Sequence, residues 1–177
     1  MKNTIKAKEY NLIKKQLGRE PDNLLKVAKK CPFDNPAVLL VAPYKNSIVF
    51  PTIYWLSCPY LVKEISRIED TGMVKKLTEK LKNDNYFGEK LKMAHKRYAS
   101  ERLELLDKDL EEIVDGIKDV LVNSGVGGII DKKGIKCLHT HVADFLVSNK
   151  NIVGELVFNK IKWPKNCELC KKLMKEE

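Results

Sequence analysis

The feature that most constrains this chain is a change of period at Cys58-Pro59. Before it, apolar residues come in short runs rich in β-branched and aromatic side chains. After it, they recur at helical spacing. LLKVAKKC and AVLLVAPY are two apolar runs joined by a CPFDNP turn, which predicts an antiparallel pair. SIVFPTIYWL, from Ser47 to Leu56, predicts a third strand. Its internal Pro51 has no N–H to give to a ladder, so this strand is expected at an edge or a bulge.

Beyond Pro59, YLVKEISRIEDTGMVKKLTEKLK reads as two helices, or one broken near Thr71-Gly72, with Leu61, Ile65 and Ile68 on one face. Proline suits a first helical turn and glycine a stop. A long helix is expected over roughly residues 86–121, with Gly116 weakening its last turns. NSGVGGIIDKKG is a glycine-rich connection without the Gly-Lys-Ser/Thr of a phosphate-cradling loop. A helix over 136–148 follows, then a segment with Gly154 and Trp163-Pro164, then the tail NCELCKKLMKEE. At the front, Tyr10, Leu12, Ile13 and Leu17 of KEYNLIKKQLG predict a short helix ending at Gly18. No repeat or low-complexity linker divides the 177 residues. The reading is one α+β domain over 1–177: a small antiparallel sheet of about three strands in the N-terminal half, packed with several helices including one long one.

Charge is segregated. Residues 1–30 hold nine Lys/Arg against three Asp/Glu, and 159–177 hold six against three, while 31–158 balance at eighteen of each. The net +9 therefore sits on the two ends, and the stretches 1–20 and 165–177 are expected to be peripheral. Lysine-rich ends can attract nucleic acid or an acidic protein without sequence preference. With only Arg19, Arg67, Arg97 and Arg102 available, bidentate recognition has few candidates. No apolar run reaches the roughly 18 residues of a membrane span. MKNTIKAKEY lacks the apolar core of a signal peptide, so a cytoplasmic location is the expectation.

Five cysteines, an odd number, argue against a disulfide framework. GIKCLHTHVADF brings Cys137, His139 and His141 within five positions. On a helical wheel Cys137, His141 and Asp144 share an arc, and the i, i+4 spacing pairs Cys137 with His141 as metal ligands, leaving His139 elsewhere. Cys31 and Cys58 each precede a proline at a strand end, and Cys167 and Cys170 form C-x-x-C. No second C-x-x-C completes a zinc-finger pattern, so a shared site requires the thiols to converge from separate segments, the form expected of an iron–sulfur site. On the long helix His95, Tyr98 and Arg102 follow one core-facing stripe with Leu91 and Leu105. They are candidates for proton transfer (His95, Tyr98) and anion holding (Arg102), or members of a satisfied buried network in which Glu69, Asp70 or Asp144 pairs with Arg102. Neither a serine nucleophile elbow nor HExxH occurs.

QLGREP, KCPFDNPAV, FPTIYWLSCP, ISRIEDTGMV, GGIIDKKGIKCLH and the late Trp-Pro together resemble an uncharacterised bacterial family, domain of unknown function 501. The resemblance runs from about residue 12 to 168 and names no reaction. It implies a cytosolic bacterial protein, and family-like positions at Cys31, Cys58, Arg67, His95, Tyr98, Cys137 and His139. On this basis His139, rather than His141, accompanies Cys137, as it can if Cys137 lies at or before the first helical turn.

The leading expectation is a metal-binding protein. Cys31, Cys58, Cys137 and Cys167 are its ligands with His139, and Cys170 and His141 stand in reserve. An iron–sulfur cluster, such as 4Fe–4S, is favoured over zinc, with a Lewis-acid or redox role. A zinc-binding structural protein, a basic module contacting nucleic acid or an acidic partner through its ends, and a metal-free enzyme using a low-pKa Cys137 are the alternatives.

Overall fold

The computed structural model describes residues 5–21, 23–46, 48–106, 115–130 and 134–175. β1 (Leu24–Lys30) and β2 (Pro36–Val41) form the expected antiparallel pair. The turn between them closes through Asp34 N–H to Cys31 O (3.0 Å) and Cys31 N–H to Asn35 O (2.9 Å). Asp34 sits at φ 58°, a left-handed conformation that aspartate tolerates better than most residues.

The third expected strand is divided. Ile48–Val49 (β4) pairs with Tyr44–Lys45 (β3) in a separate two-stranded ribbon, and Tyr54–Leu56 (β5) joins the main sheet beside β2. Pro51 lies between the two pieces, where no ladder needs its missing N–H. The sheet order is β1-β2-β5, so β2 is central and every one of its side chains is buried. Leu39 and Val41 meet the helix α1 (Ala7–Leu17) on one face. Val38 and Leu40 meet Tyr98 and Ala143 on the other.

After α1, the helices resume where the period changes. α2 (Pro59–Asp70) and α3 (Met73–Asn83) are separated at Gly72, which adopts φ 74°. The expected long helix is shorter than 86–121. α4 (Asn85–Glu104) stops at Leu105, where the Leu105 N–H returns to the Arg102 carbonyl and the Leu106 N–H to that of Leu103, and α5 (Asp115–Asn123) follows. The stretch 107–114, inside the expected helix, lies outside the described residues. A single 3-10 turn (Val126–Gly128) leads into α6 (Leu138–Ser148), then α7 (Ile152–Phe158) and α8 (Leu169–Lys175).

Leu61 and Ile65 of α2, Phe87 and Leu91 of α4, and Leu138 and Val142 of α6 close one apolar core with no exposed surface beyond a trace. Each such side chain contributes about 1.5–3 kcal/mol when buried. Within the basic ends, Leu12 and Ile13 of α1 are buried, and α8 packs against α1. Among the described residues no helix is long and apolar enough to cross a membrane.

Candidate metal centre

α6 begins one residue too late for the wheel that pairs Cys137 with His141. Cys137 is its N-cap, in extended conformation (φ −140°, ψ 123°), so its side chain leaves the helical phase and turns toward α2. His139, in the first turn, points the same way. Cys137 Sγ and His139 Nδ1 are 3.6 Å apart. Glu69, from the last turn of α2, completes the group: its Oε2 is 3.4 Å from His139 Nδ1. All three donor atoms lie within 4.8 Å of one another, and among the described residues this is the one such group of three or more.

Each member is held from behind. Glu69 Oε1 accepts the N–H of Leu138 at 2.6 Å, so the carboxylate satisfies one of the free N–H groups that open α6 and keeps Oε2 for the site. His139 Nε2 is 3.1 Å from the Val62 carbonyl and 3.3 Å from Ser66 Oγ. A carbonyl only accepts, so Nε2 carries a proton, and Nδ1 is the ring nitrogen turned toward Cys137 and Glu69. The Thr140 hydroxyl donates to the Cys137 carbonyl at 2.9 Å. The side chains of His139 and Glu69 are 21% and 27% exposed, so the group is partly open to solvent.

The electrostatics follow from this arrangement. Burial raises the Cys137 thiol, but hydrogen bonds from His139 and the Thr140 amide outweigh it and the net direction is down. His139 moves up, chiefly through its hydrogen bond to Cys137 and against its burial. Cys137 and His139 thus favour the charged pair.

The remaining candidate residues stand elsewhere. His141 is fully buried: Nδ1 donates to Asn151 Oδ1 (3.2 Å), and the ring meets His95 edge-on at 5.9 Å. Burial, and then His95, push its pKa down to about 3. Asp144 serves Arg97, which spans both carboxylate oxygens at 2.7 and 2.6 Å. Cys31 and Cys58 lie in the α2–α4–α6 core, and Cys170 is buried with its Sγ accepting from Gln16 Nε2 at 3.4 Å. Burial pushes the Cys58 thiol up to about 11, and the nearby Cys31 and Cys170 add to the rise, so these three share a neighbourhood. Cys167 is half-buried and belongs to no group of ligand atoms among the described residues. Cys137 therefore keeps company with Glu69 and His139, and not with Cys31, Cys58 or Cys167.

His95, Tyr98 and Arg102 hold backbone. His95 Nδ1 accepts from Val126 N (3.0 Å) and its Nε2 donates to Gly134 O (3.1 Å), which ties the glycine-rich connection to α4. The Tyr98 hydroxyl accepts the N–H of Ile53 (2.8 Å) and of Tyr54 (3.2 Å) where the chain enters β5. Among the described residues Arg102 is paired with no carboxylate. It donates to the carbonyls of Pro51 (2.8 Å), Leu121 (2.8 and 2.5 Å) and Ser124. Burial pushes its guanidinium down to about 10. All three side chains have no exposed surface, so they reach no substrate without opening the core.

Glu69 is the member that residue spacing does not reveal. It is sixty-eight positions from Cys137, and its only sequence signal is membership of the ISRIEDTGMV segment. A groove of about 960 Å³ is lined by other residues (Ile5–Glu9, Lys26–Pro36 and Cys170–Lys175 in part) and lies apart from this group.

A model of the family described as "Protein of unknown function (DUF501)" matches residues 27–159, and the chain belongs to that family. No curated protein and no solved structure matches the chain.

Proposed function

We propose that this family member is a metal-binding protein whose ion, of the zinc class, is held by Cys137, His139 and Glu69 with a fourth position open. The observation that supports this reading is the spacing of the donor atoms. With bonds of about 2.3 Å to sulfur and about 2.0–2.2 Å to nitrogen and oxygen, tetrahedral angles put S and N about 3.5 Å apart and N and O about 3.4 Å apart. The separations are 3.6 and 3.4 Å. A charge-assisted hydrogen bond between His139 and Glu69 is expected at about 2.7–2.9 Å, and the 3.4 Å separation is longer, close to the spacing of two ligands on one ion. The Nε2–H to Val62 contact is the outer-sphere hydrogen bond by which a metal-bound imidazole is usually oriented.

Thiolate, carboxylate and neutral imidazole carry two negative charges, which balance a divalent ion. One sulfur and one nitrogen donor suit zinc better than magnesium or calcium. With a single thiolate at the site, zinc also fits it better than an iron–sulfur cluster does, since clusters take mostly thiolates. Three protein ligands and partial exposure leave room for water or a substrate oxygen, and the ion supplies Lewis acidity there.

The test is elemental analysis of the full chain purified anaerobically without chelator. About one zinc per chain is expected, and Cys137→Ser and Glu69→Gln should each lower zinc affinity more than tenfold with an unchanged circular dichroism spectrum. No zinc as purified and none taken up on titration overturns the proposal. Iron with acid-labile sulfide that survives Glu69→Gln moves the site to the other thiols. A second reading has its own support: Cys137 caps a helix N-terminus beside a histidine that can take its proton, as a metal-free nucleophile requires. Rapid, selective alkylation of Cys137 in zinc-free protein whose titration shows no zinc uptake would install that reading instead.

A further inference from the structure

We propose that the two basic ends of the chain build one binding groove, and that it takes an extended acidic peptide segment added alongside β1. The ends are far apart in sequence, yet α1 and α8 lie against each other next to the β1–β2 pair. Between them runs a groove of about 960 Å³. Its apolar floor includes Leu12, Val27, Phe33 and Met174, and its rim is lysine.

The charge in the groove is uncompensated. Its two carboxylates, Glu9 and Asp34, both pair with Lys30 at 3.2 Å, and Lys171 pairs with Glu168 at 2.9 Å. Among the described residues Lys6, Lys8, Lys26, Lys29 and Lys175 make no ion pair, and all five are exposed. Like charges gathered over a low-dielectric floor raise the local potential and select an anionic ligand.

The backbone selects its shape. β1 is an edge of the sheet among the described strands. The groove is lined by five consecutive residues of this strand, Lys26 through Lys30, whose pairing with β2 shifts register between Val27 and Lys29 and again between Lys29 and Lys30. It therefore runs along the edge strand, whose outer N–H and C=O groups have no partner strand among the described residues. An added strand pairs with such an edge through its main chain. Lysines there repel a second copy of the same edge and attract an acidic segment, so one feature discourages self-association and chooses the partner.

Nucleic acid fits less well. Non-specific single-strand binding relies on several aromatic platforms, and Phe33 is the one aromatic side chain lining the groove. The charge is all lysine, without the guanidinium that stacks on bases or forks onto phosphate.

The experiment uses the full chain and three fluorescein-labelled probes in anisotropy titrations. One is an eight-residue peptide alternating Glu and Val; one is the same peptide N-methylated at alternate residues; one is an eight-nucleotide oligothymidylate. The unmodified peptide is expected to bind at least tenfold tighter than either other probe. Lys26→Glu/Lys29→Glu, and separately Lys6→Glu/Lys8→Glu on α1, should each weaken it at least tenfold, with unchanged circular dichroism and unchanged zinc content. Equal binding of the N-methylated peptide overturns strand addition. Tighter binding of the oligonucleotide makes the groove a nucleic-acid surface and overturns the proposal. So does failure of every probe, or indifference of both folded charge variants.

Discussion

Replacing Tyr98 by phenylalanine tests whether that residue holds the fold or serves chemistry. The ring stays, edge-on to Tyr54 at 5.7 Å, so no cavity opens. What is lost is the oxygen that accepts the Ile53 and Tyr54 N–H groups at 2.8 and 3.2 Å. Both lie in buried backbone, where water does not replace the acceptor. Each stranded donor costs about 1–3 kcal/mol, and the longer bond contributes the smaller share, so Tyr98→Phe should lose about 3 kcal/mol. A chain of this size shifts by about 2–4 °C per kcal/mol, giving a Tm lower by about 6–12 °C. Equilibrium urea denaturation reads the free energy, and a thermal melt reads the Tm. A loss below about 0.5 kcal/mol would refute the reasoning, because the two N–H groups would then have another partner.

The other predictions concern the glycine-rich connection, the core thiol and the ion. Gly125→Ala would drive a Cβ into the His95 ring at Nδ1, so the Val126–His95 hydrogen bond must give way; the expected cost is at least about 2 kcal/mol, read by the same denaturation. Burial holds the Cys58 thiol at about 11 against an ordinary value of 9.0. Between those pH values the unfolded thiol has lost its proton and the folded one keeps it, so the Cys58 contribution to stability falls as pH rises. Cys58→Ala should accordingly show a shallower decline than the parent across that window, by up to about 1.4 kcal/mol per pH unit; parallel pH curves would contradict the assignment. Chelation of the proposed zinc should lower Tm and re-addition restore it: at free zinc a thousandfold above Kd the stabilisation is about 4 kcal/mol. A melt indifferent to both treatments would remove the ion from the folded state.

The elements were largely legible because they report local geometry. Tyr10, Leu12, Ile13 and Leu17 mark α1; Leu61 and Ile65 repeat at helical spacing on α2; Gly72 supplies the left-handed residue between α2 and α3. Pro51 likewise announced a break, although not that β4 and β5 would join different partners. The long helix read too long, since its continuous pattern does not show the cap at Leu105.

The candidate site was half legible. Cys137 and His139 are neighbours in sequence, and the pairing follows once Cys137 is taken out of the helical phase, a matter of one backbone conformation at an N-cap. Glu69 reaches them only through the packing of α2 on α6, which no spacing encodes. The same limit explains His95, Tyr98 and Arg102: their stripe showed that they face inward, but the partners are carbonyls and amides of distant segments.

What this sequence determined by itself is the α1 helix, the β1–β2 pair, the helices that follow Pro59 and which faces seek burial, because hydrophobic period and turn chemistry act over a few residues. Tertiary structure alone decided which polar groups meet: a carboxylate beside a thiol sixty-eight residues away, a guanidinium among three carbonyls, and two lysine-rich ends on either side of one groove. Those meetings depend on how whole elements pack, and the energy that sets the packing comes from apolar area, which does not distinguish among the polar groups it carries into contact.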